Sequence, residues 1–164
     1  MTRVVLVPGT LALLPEYVSI EDPVADLRAA CLEAVGWLGA DVTVLADAQG
    51  ARVAAHLLAA TTRTGDAPSY LVVGNGSACR TEKAPGHFDE RAAAFDAGLG
   101  RCLRDGRSES LAAMDRELAS ELWASVDAIV EMARVPDVSL VQVDYDDDPY
   151  GVQYWVVRWA SRIP

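Results

Sequence analysis

The sequence predicts one α/β domain, a mainly parallel central sheet with helices on both faces and an aromatic-rich strand pair at its C-terminal end. Three observations predict it. Short β-branched runs alternate with stretches of helical periodicity from Arg3 to Val73, the pattern of parallel strands joined by crossover helices. The runs at residues 3–7 and 70–73 read as strands buried on both faces. Finally, 164 residues with 51% hydrophobic and 23% charged side chains suit a globular chain. With no linker, repeat or low-complexity tract, residues 1–164 are expected to form a single unit.

The first strand is read at residues 3–7, and Pro8-Gly9-Thr10 ends it. Asp22-Pro23 is an N-cap followed by a first-turn proline. The helix it opens carries Val24, Leu27, Cys31, Val35 and Leu38 on one face and closes at Gly39. A second strand spans residues 42–45. A second helix spans residues 50–60, with Val53, Leu57 and Ala60 on its apolar side. A polar turn leads to the third strand at residues 70–73, which empties into Gly74-Asn75-Gly76-Ser77.

Asp89 is expected to cap a helix that buries Ala92, Phe95, Leu99 and Cys102 and stops at Gly106. A short helix follows at residues 109–114. Asp115 then caps a longer one with Leu118, Leu122, Val126, Ile129 and Ala133 in a stripe. Residues 138–145 alternate as a strand, with Leu140, Gln142 and Asp144 opposed to Val141, Val143 and Tyr145. After a loop at 146–151 comes the last strand, 152–159. There Tyr154, Val156 and Arg158 face one way, while Trp155, Val157 and Trp159 pack beneath a helix.

Charge and cysteine usage narrow the partners. Fourteen Lys+Arg against 24 Asp+Glu give a net charge of −10. That field opposes nucleic acid and anionic lipid, so neither is an expected partner, whereas a small ligand held by one local cation remains compatible. Cys31, Cys79 and Cys102 show no CxxC spacing, which speaks against a disulfide framework or a structural zinc site. The N-terminus runs directly into a strand, and residues 11–14 lie between Pro8 and Pro15. That stretch is too short to span a bilayer, so a cytoplasmic location and no membrane partner are expected.

In an open parallel sheet, ligands gather at the carboxyl ends of the strands. Residues 8–16, 47–50 and 74–87 should converge there. The third segment is the richest, with Asn75, Ser77, Cys79, Arg80, Thr81, Glu82, Lys83 and His87, and Lys83 is the chain's sole lysine. Gly74 and Gly76 would let its backbone approach a ligand closely. It is not a phosphate loop, because Cys79 stands where GxGxxG needs glycine, and neither Walker A nor GxSxG is present. Cys79 is a candidate thiolate, with Arg80 and Lys83 as activating cations and His87 or His56 as base. The alternatives are an inert cysteine and a Lys83 that merely pairs with Glu82 or Asp89. For a metal the chain has only two histidines. Asp144, Asp146, Asp147 and Asp148 could gather a hard cation, but their spacing is not that of an EF-hand loop. Tyr150 or Tyr154 could line an aromatic-binding pocket or a subunit interface.

Two segments resemble a known family. Asn75-Gly76-Ser77-Ala78-Cys79-Arg80-Thr81-Glu82-Lys83-Ala84-Pro85-Gly86, followed by Phe88-Asp89 and Ala94-Phe95-Asp96, is one. Tyr145-Asp146-Asp147-Asp148-Pro149-Tyr150-Gly151-Val152-Gln153-Tyr154 is the other. Both are similar to the actinobacterial branch of the LigB-like, class III extradiol ring-cleavage dioxygenase superfamily. The resemblance is specific between residues 71 and 159. Leu13-Leu14-Pro15-Glu16 and Leu27-Arg28-Ala29-Ala30-Cys31 extend it loosely toward the N-terminus.

The resemblance implies a LigB-like α/β fold shared with Memo-like proteins. It also implies, for working members, a non-haem Fe(II) held by two histidines and a glutamate that opens a catechol ring with dioxygen. Open positions on the iron take both catecholate and oxygen. Here Val7-Pro8-Gly9-Thr10 stands where the superfamily has a Pro-His-Pro-like motif. Ala46-Asp47-Ala48 carries no histidine, and Ser77-Ala78 replaces a Ser-His pair. The expectation is therefore a relative without iron or other cofactor, binding a small molecule or a partner through Asn75, Ser77, Arg80, Glu82, Lys83, His87 and Tyr150. Two alternatives stay open: an active oxidoreductase rebuilt around Arg80, Glu82, Lys83 and His87, and a subunit that completes a homo-oligomer through its aromatic last strand.

Overall fold

A computed structural model of the chain describes residues 1–162. Five strands form one sheet: β1 (Thr2–Val7), β2 (Val42–Leu45), β3 (Ser69–Val73), β4 (Val138–Asp147) and β5 (Tyr154–Ser161). Their spatial order is β2-β3-β1-β5-β4. β2, β3 and β1 run parallel, whereas β5 is antiparallel to both β1 and β4. The expected mainly parallel sheet is thus a mixed one. The short turn between β4 and β5 forces an antiparallel hairpin, and inserting β5 beside β1 makes that pairing antiparallel as well.

Helices cover both faces. α1 (Ala25–Gly36) and α2 (Ala48–Ala59) pack on one, over Val5, Val7, Leu71, Val73, Tyr154 and Val156. α3 (Ala92–Asp105), α4 (Ser108–Leu111), α5 (Arg116–Glu121) and α6 (Asp127–Glu131) lie on the other. The core there includes Val4, Leu6, Val72, Trp155, Val157 and Trp159. Tyr154 and Val156 against Trp155, Val157 and Trp159 is the alternation the sequence implies for the last strand. The Trp159 indole N–H also donates to the Leu103 carbonyl at 2.9 Å. Every residue of β5 is buried, and the strand lies between β1 and β4, so the aromatic surface that the homo-oligomer alternative would use is interior to the fold. Among the described residues, no helix is long and apolar enough to cross a membrane.

Local chemistry explains where the elements differ from expectation. Asp22 does not cap α1; its carboxylate pairs with Arg28, which also donates to the Ala12 carbonyl at 2.9 Å. Asp47 caps α2 by accepting from the Gly50 N–H at 2.7 Å, two residues before the expected helix start. On that helix Ala54 is buried, while Ala60 is exposed. Asp89 accepts from the Arg91 N–H, one residue before α3 begins. Asp115 caps α5 as expected, through the Leu118 N–H at 3.0 Å. The long helix expected beyond it is instead α5 and α6. Trp123, at φ +58°, interrupts it, and Ser125 exchanges backbone hydrogen bonds with Asn75. Those bonds use the groups that a continuous helix would have paired internally. In β4, bulges near Leu140 and Tyr145 break the strict alternation, so Val143 faces solvent while Asp144 and Tyr145 are both half-buried.

Candidate functional site

β1 and β3 are neighbours, yet the chain leaves β1 for α1 on one face and leaves β3 for α3 on the other. Such a reversal opens a crevice at the carboxyl ends of the strands, where α/β proteins bind ligands. The three expected segments do meet there. The Gly9 N–H donates to Asn75 Oδ1 at 2.9 Å. The Gln49 side-chain amide donates to the Gly9 carbonyl at 2.7 Å. Asn75 therefore spends its side-chain oxygen bridging the crevice. Tyr154, whose hydroxyl bonds Thr10, has its pKa raised chiefly by burial.

Two polar side chains at the crevice already have partners within the protein. Asp47 caps α2 and Asn75 is engaged by Gly9. His56 lies on α2 and His87 in the loop before α3. Among the described residues no three His, Cys, Asp or Glu side chains form a metal-holding group. Three of the four aspartates of the 144–148 run are engaged by arginines of the same chain. Asp144 pairs with Arg158 at 2.7 Å, Asp146 with Arg104 at 2.7 Å, and Asp148 with Arg80 at 2.7 Å.

The segment after β3 is built around a buried carboxylate that the sequence reading missed. Asp96, 3% exposed, accepts from the Ser77 N–H at 2.7 Å, the Ser77 hydroxyl at 2.6 Å and the Arg80 guanidinium at 3.0 Å. Arg80 also donates to Asp148 on the β4–β5 turn. Charge-assisted hydrogen bonds of this kind offset the cost of burying a carboxylate. Ser77 and Arg80 thus hold the loop to α3 and the hairpin. A signal for Asp96 was present in the sequence. It shares the helical spacing of Ala92, Leu99 and Leu103, so an acid was falling on an apolar stripe. The close approach at Gly76 serves the same packing: a Cβ there would lie 2.5 Å from Asp96 Oδ1 and 2.9 Å from the Trp155 ring.

Cys79 is buried, its Sγ 3.4 Å from the Leu122 carbonyl and 3.6 Å from that of Gly86. Burial, then the nearby Asp89 and Asp96, push the thiol up from its ordinary value. Burial of the sulfur against two carbonyls favours the inert-cysteine alternative over an activated thiolate.

The remaining candidates split by place. Glu82 and Lys83, with Thr81 and Pro85, form one wall of a shallow groove; Asp148, Pro149, Tyr150 and Gly151 form the other. The walls meet at Gly151, whose φ is +73°. A Cβ there would lie 2.5 Å from Thr81 Oγ1 and 2.7 Å from Ala84 Cβ. The Arg80 N–H donates to the Gly151 carbonyl at 3.0 Å and fixes the floor. Lys83 makes no ion pair with Glu82 or Asp89 among the described residues; Asp89 is engaged by Arg91. His87 is exposed at φ +58° and does not line this groove.

The chain matches no model of a known protein family and none of the curated proteins.

Proposed function

We propose that the chain is a catalytically silent relative of the class III extradiol dioxygenases that binds a small molecule in the groove between residues 81–85 and 148–151. The observation that carries this reading is the division of its polar side chains. Asn75, Ser77 and Arg80 are committed to other groups of the protein, while Lys83, Glu82 and Tyr150 stand at an open groove. Lys83 supplies a cation for an acidic group, and the Tyr150 ring, 39% exposed, supplies an apolar face. A small planar acid meets both. Glu82 disfavours ligands that carry a second negative charge.

Calorimetric titration with benzoate tests the reading. Saturable binding is expected, weakened about tenfold or more by Lys83→Ala and by Tyr150→Ala, since each removes one of the two recognition elements. Absence of saturable binding, or binding indifferent to both substitutions, overturns the assignment of the groove. Iron-dependent oxygen consumption on catechol by the purified protein overturns catalytic silence and restores the oxidoreductase alternative.

A further inference from the structure

A second concavity lies away from this groove, toward the amino ends of β1 and β3. The helices on that face leave Tyr70 37% exposed, and a cavity of about 290 Å³ opens beside it. Val4, Val72 and Met132 form its closed floor and are almost wholly buried, while Leu45, Tyr70 and Val135 present its accessible apolar surface. The cation among the lining residues is Arg134, whose side chain is 82% exposed. Its Nε lies 3.2 Å from Glu131 Oε2, one turn earlier. The other two guanidinium nitrogens have no partner among the described residues.

We propose that this cavity binds a short-chain carboxylate, its hydrocarbon body against Leu45, Tyr70 and Val135 and its head group on the outer nitrogens of Arg134. The apolar walls select against a ligand polar along its length, because burying a polar group without a hydrogen-bond partner is unfavourable. The volume suits about ten heavy atoms, taking roughly 30 Å³ for each water-sized group. A guanidinium presents its donors as a planar fork that matches a carboxylate. Glu131 also lines the cavity and opposes an incoming anion, but its contact with Arg134 Nε leaves the other two nitrogens of the fork for the ligand. The net charge of −10 acts weakly at this mouth, since salt screens separations beyond about 8 Å at physiological ionic strength.

Octanoate is the probe, titrated into the full chain by calorimetry, with octylamine as the ligand of equal body and opposite head group. Saturable binding of octanoate is expected, with octylamine at least about tenfold weaker. Arg134→Ala, a change at an exposed position that leaves the core intact, should weaken octanoate about tenfold. Val135→Trp should fill the cavity and abolish binding. Lys83→Ala should leave octanoate affinity unchanged, which separates this site from the benzoate groove. The proposal is overturned by any of four results: no saturable binding, equal affinity for octanoate and octylamine, insensitivity to Arg134→Ala, or loss of binding in Lys83→Ala. A concentration-dependent dimer that buries this face and is unaffected by octanoate would overturn it too, because a second copy would then be what covers this face.

Discussion

Arg80 shows how one side chain decides whether a polar loop is a reactive site or a structural joint. Its guanidinium touches a buried carboxylate on α3 and a half-exposed one on the β4–β5 turn. Removing it leaves Asp96 buried with its charge poorly compensated, which costs about 3–5 kcal/mol in comparable cases. Arg80→Ala is therefore expected to lower the midpoint of chemical denaturation substantially. Asp96→Asn should cost less, about 1–3 kcal/mol, because the amide keeps an acceptor but turns a donor toward Ser77. Equal stability of Arg80→Ala and the parent in urea titrations would show that the network contributes nothing. The cysteines give a second expectation. Cys31 and Cys79 are buried, and burial raises both thiols, whereas Cys102 is only half-buried. Iodoacetamide on the native protein should label Cys102 first, and mass spectrometry that finds Cys79 labelled faster would restore it as a reactive group.

Among the secondary-structure elements, the legible ones were those whose own residues settle their conformation. β1, β2 and β3, the α1 stripe and the end of α3 at Gly106 followed from β-branched runs, helical spacing and a glycine stop. What could not be read depended on residues far away in sequence. The break between α5 and α6 exists because Ser125 pairs with Asn75, some fifty residues earlier. The burial of Asp96 depends on Ser77 and Arg80 reaching it from another loop. In the candidate site, Lys83 stands out as the sole lysine, Glu82 as part of a polar loop and Tyr150 as part of an aromatic-rich end, but only folding separates them from Asn75 and Ser77. The helix stop itself is testable. Gly106 sits at φ +65°, and a Cβ there would lie 3.0 Å from Val138 Cγ1 and 3.1 Å from Val141 Cγ2. Gly106→Ala combines left-handed strain with a clash against β4, so a loss of at least about 1 kcal/mol is expected in thermal or urea unfolding. An unchanged midpoint would mean that the α3–β4 corner relaxes freely.

For the molecule as a whole, the excess of acidic groups makes stability a question of which carboxylates gain partners on folding. Asp89 is held down to about 2, first by its side-chain hydrogen bonds with Arg91, then by the Arg91 backbone N–H. Asp22 is likewise lowered, chiefly by Arg28. In the unfolded chain such groups titrate near 3.9. A carboxylate whose folded value is depressed contributes stability above its unfolded value and loses it as pH falls toward its folded one. The contribution of Asp89 is therefore complete above about pH 4 and disappears between about pH 4 and pH 2. Arg91 also joins Glu121 at 2.8 Å, so it links the start of α3 to the end of α5. Arg91→Ala should flatten the acid limb of the melting-temperature profile in that window and leave its shape above pH 5 nearly unchanged. Both ion pairs are exposed, so the difference between the two profiles should shrink as salt is added. Parallel acid limbs for parent and variant would show that Asp89 gains nothing from Arg91 on folding, and would assign the acid sensitivity to the carboxylates elsewhere in the chain.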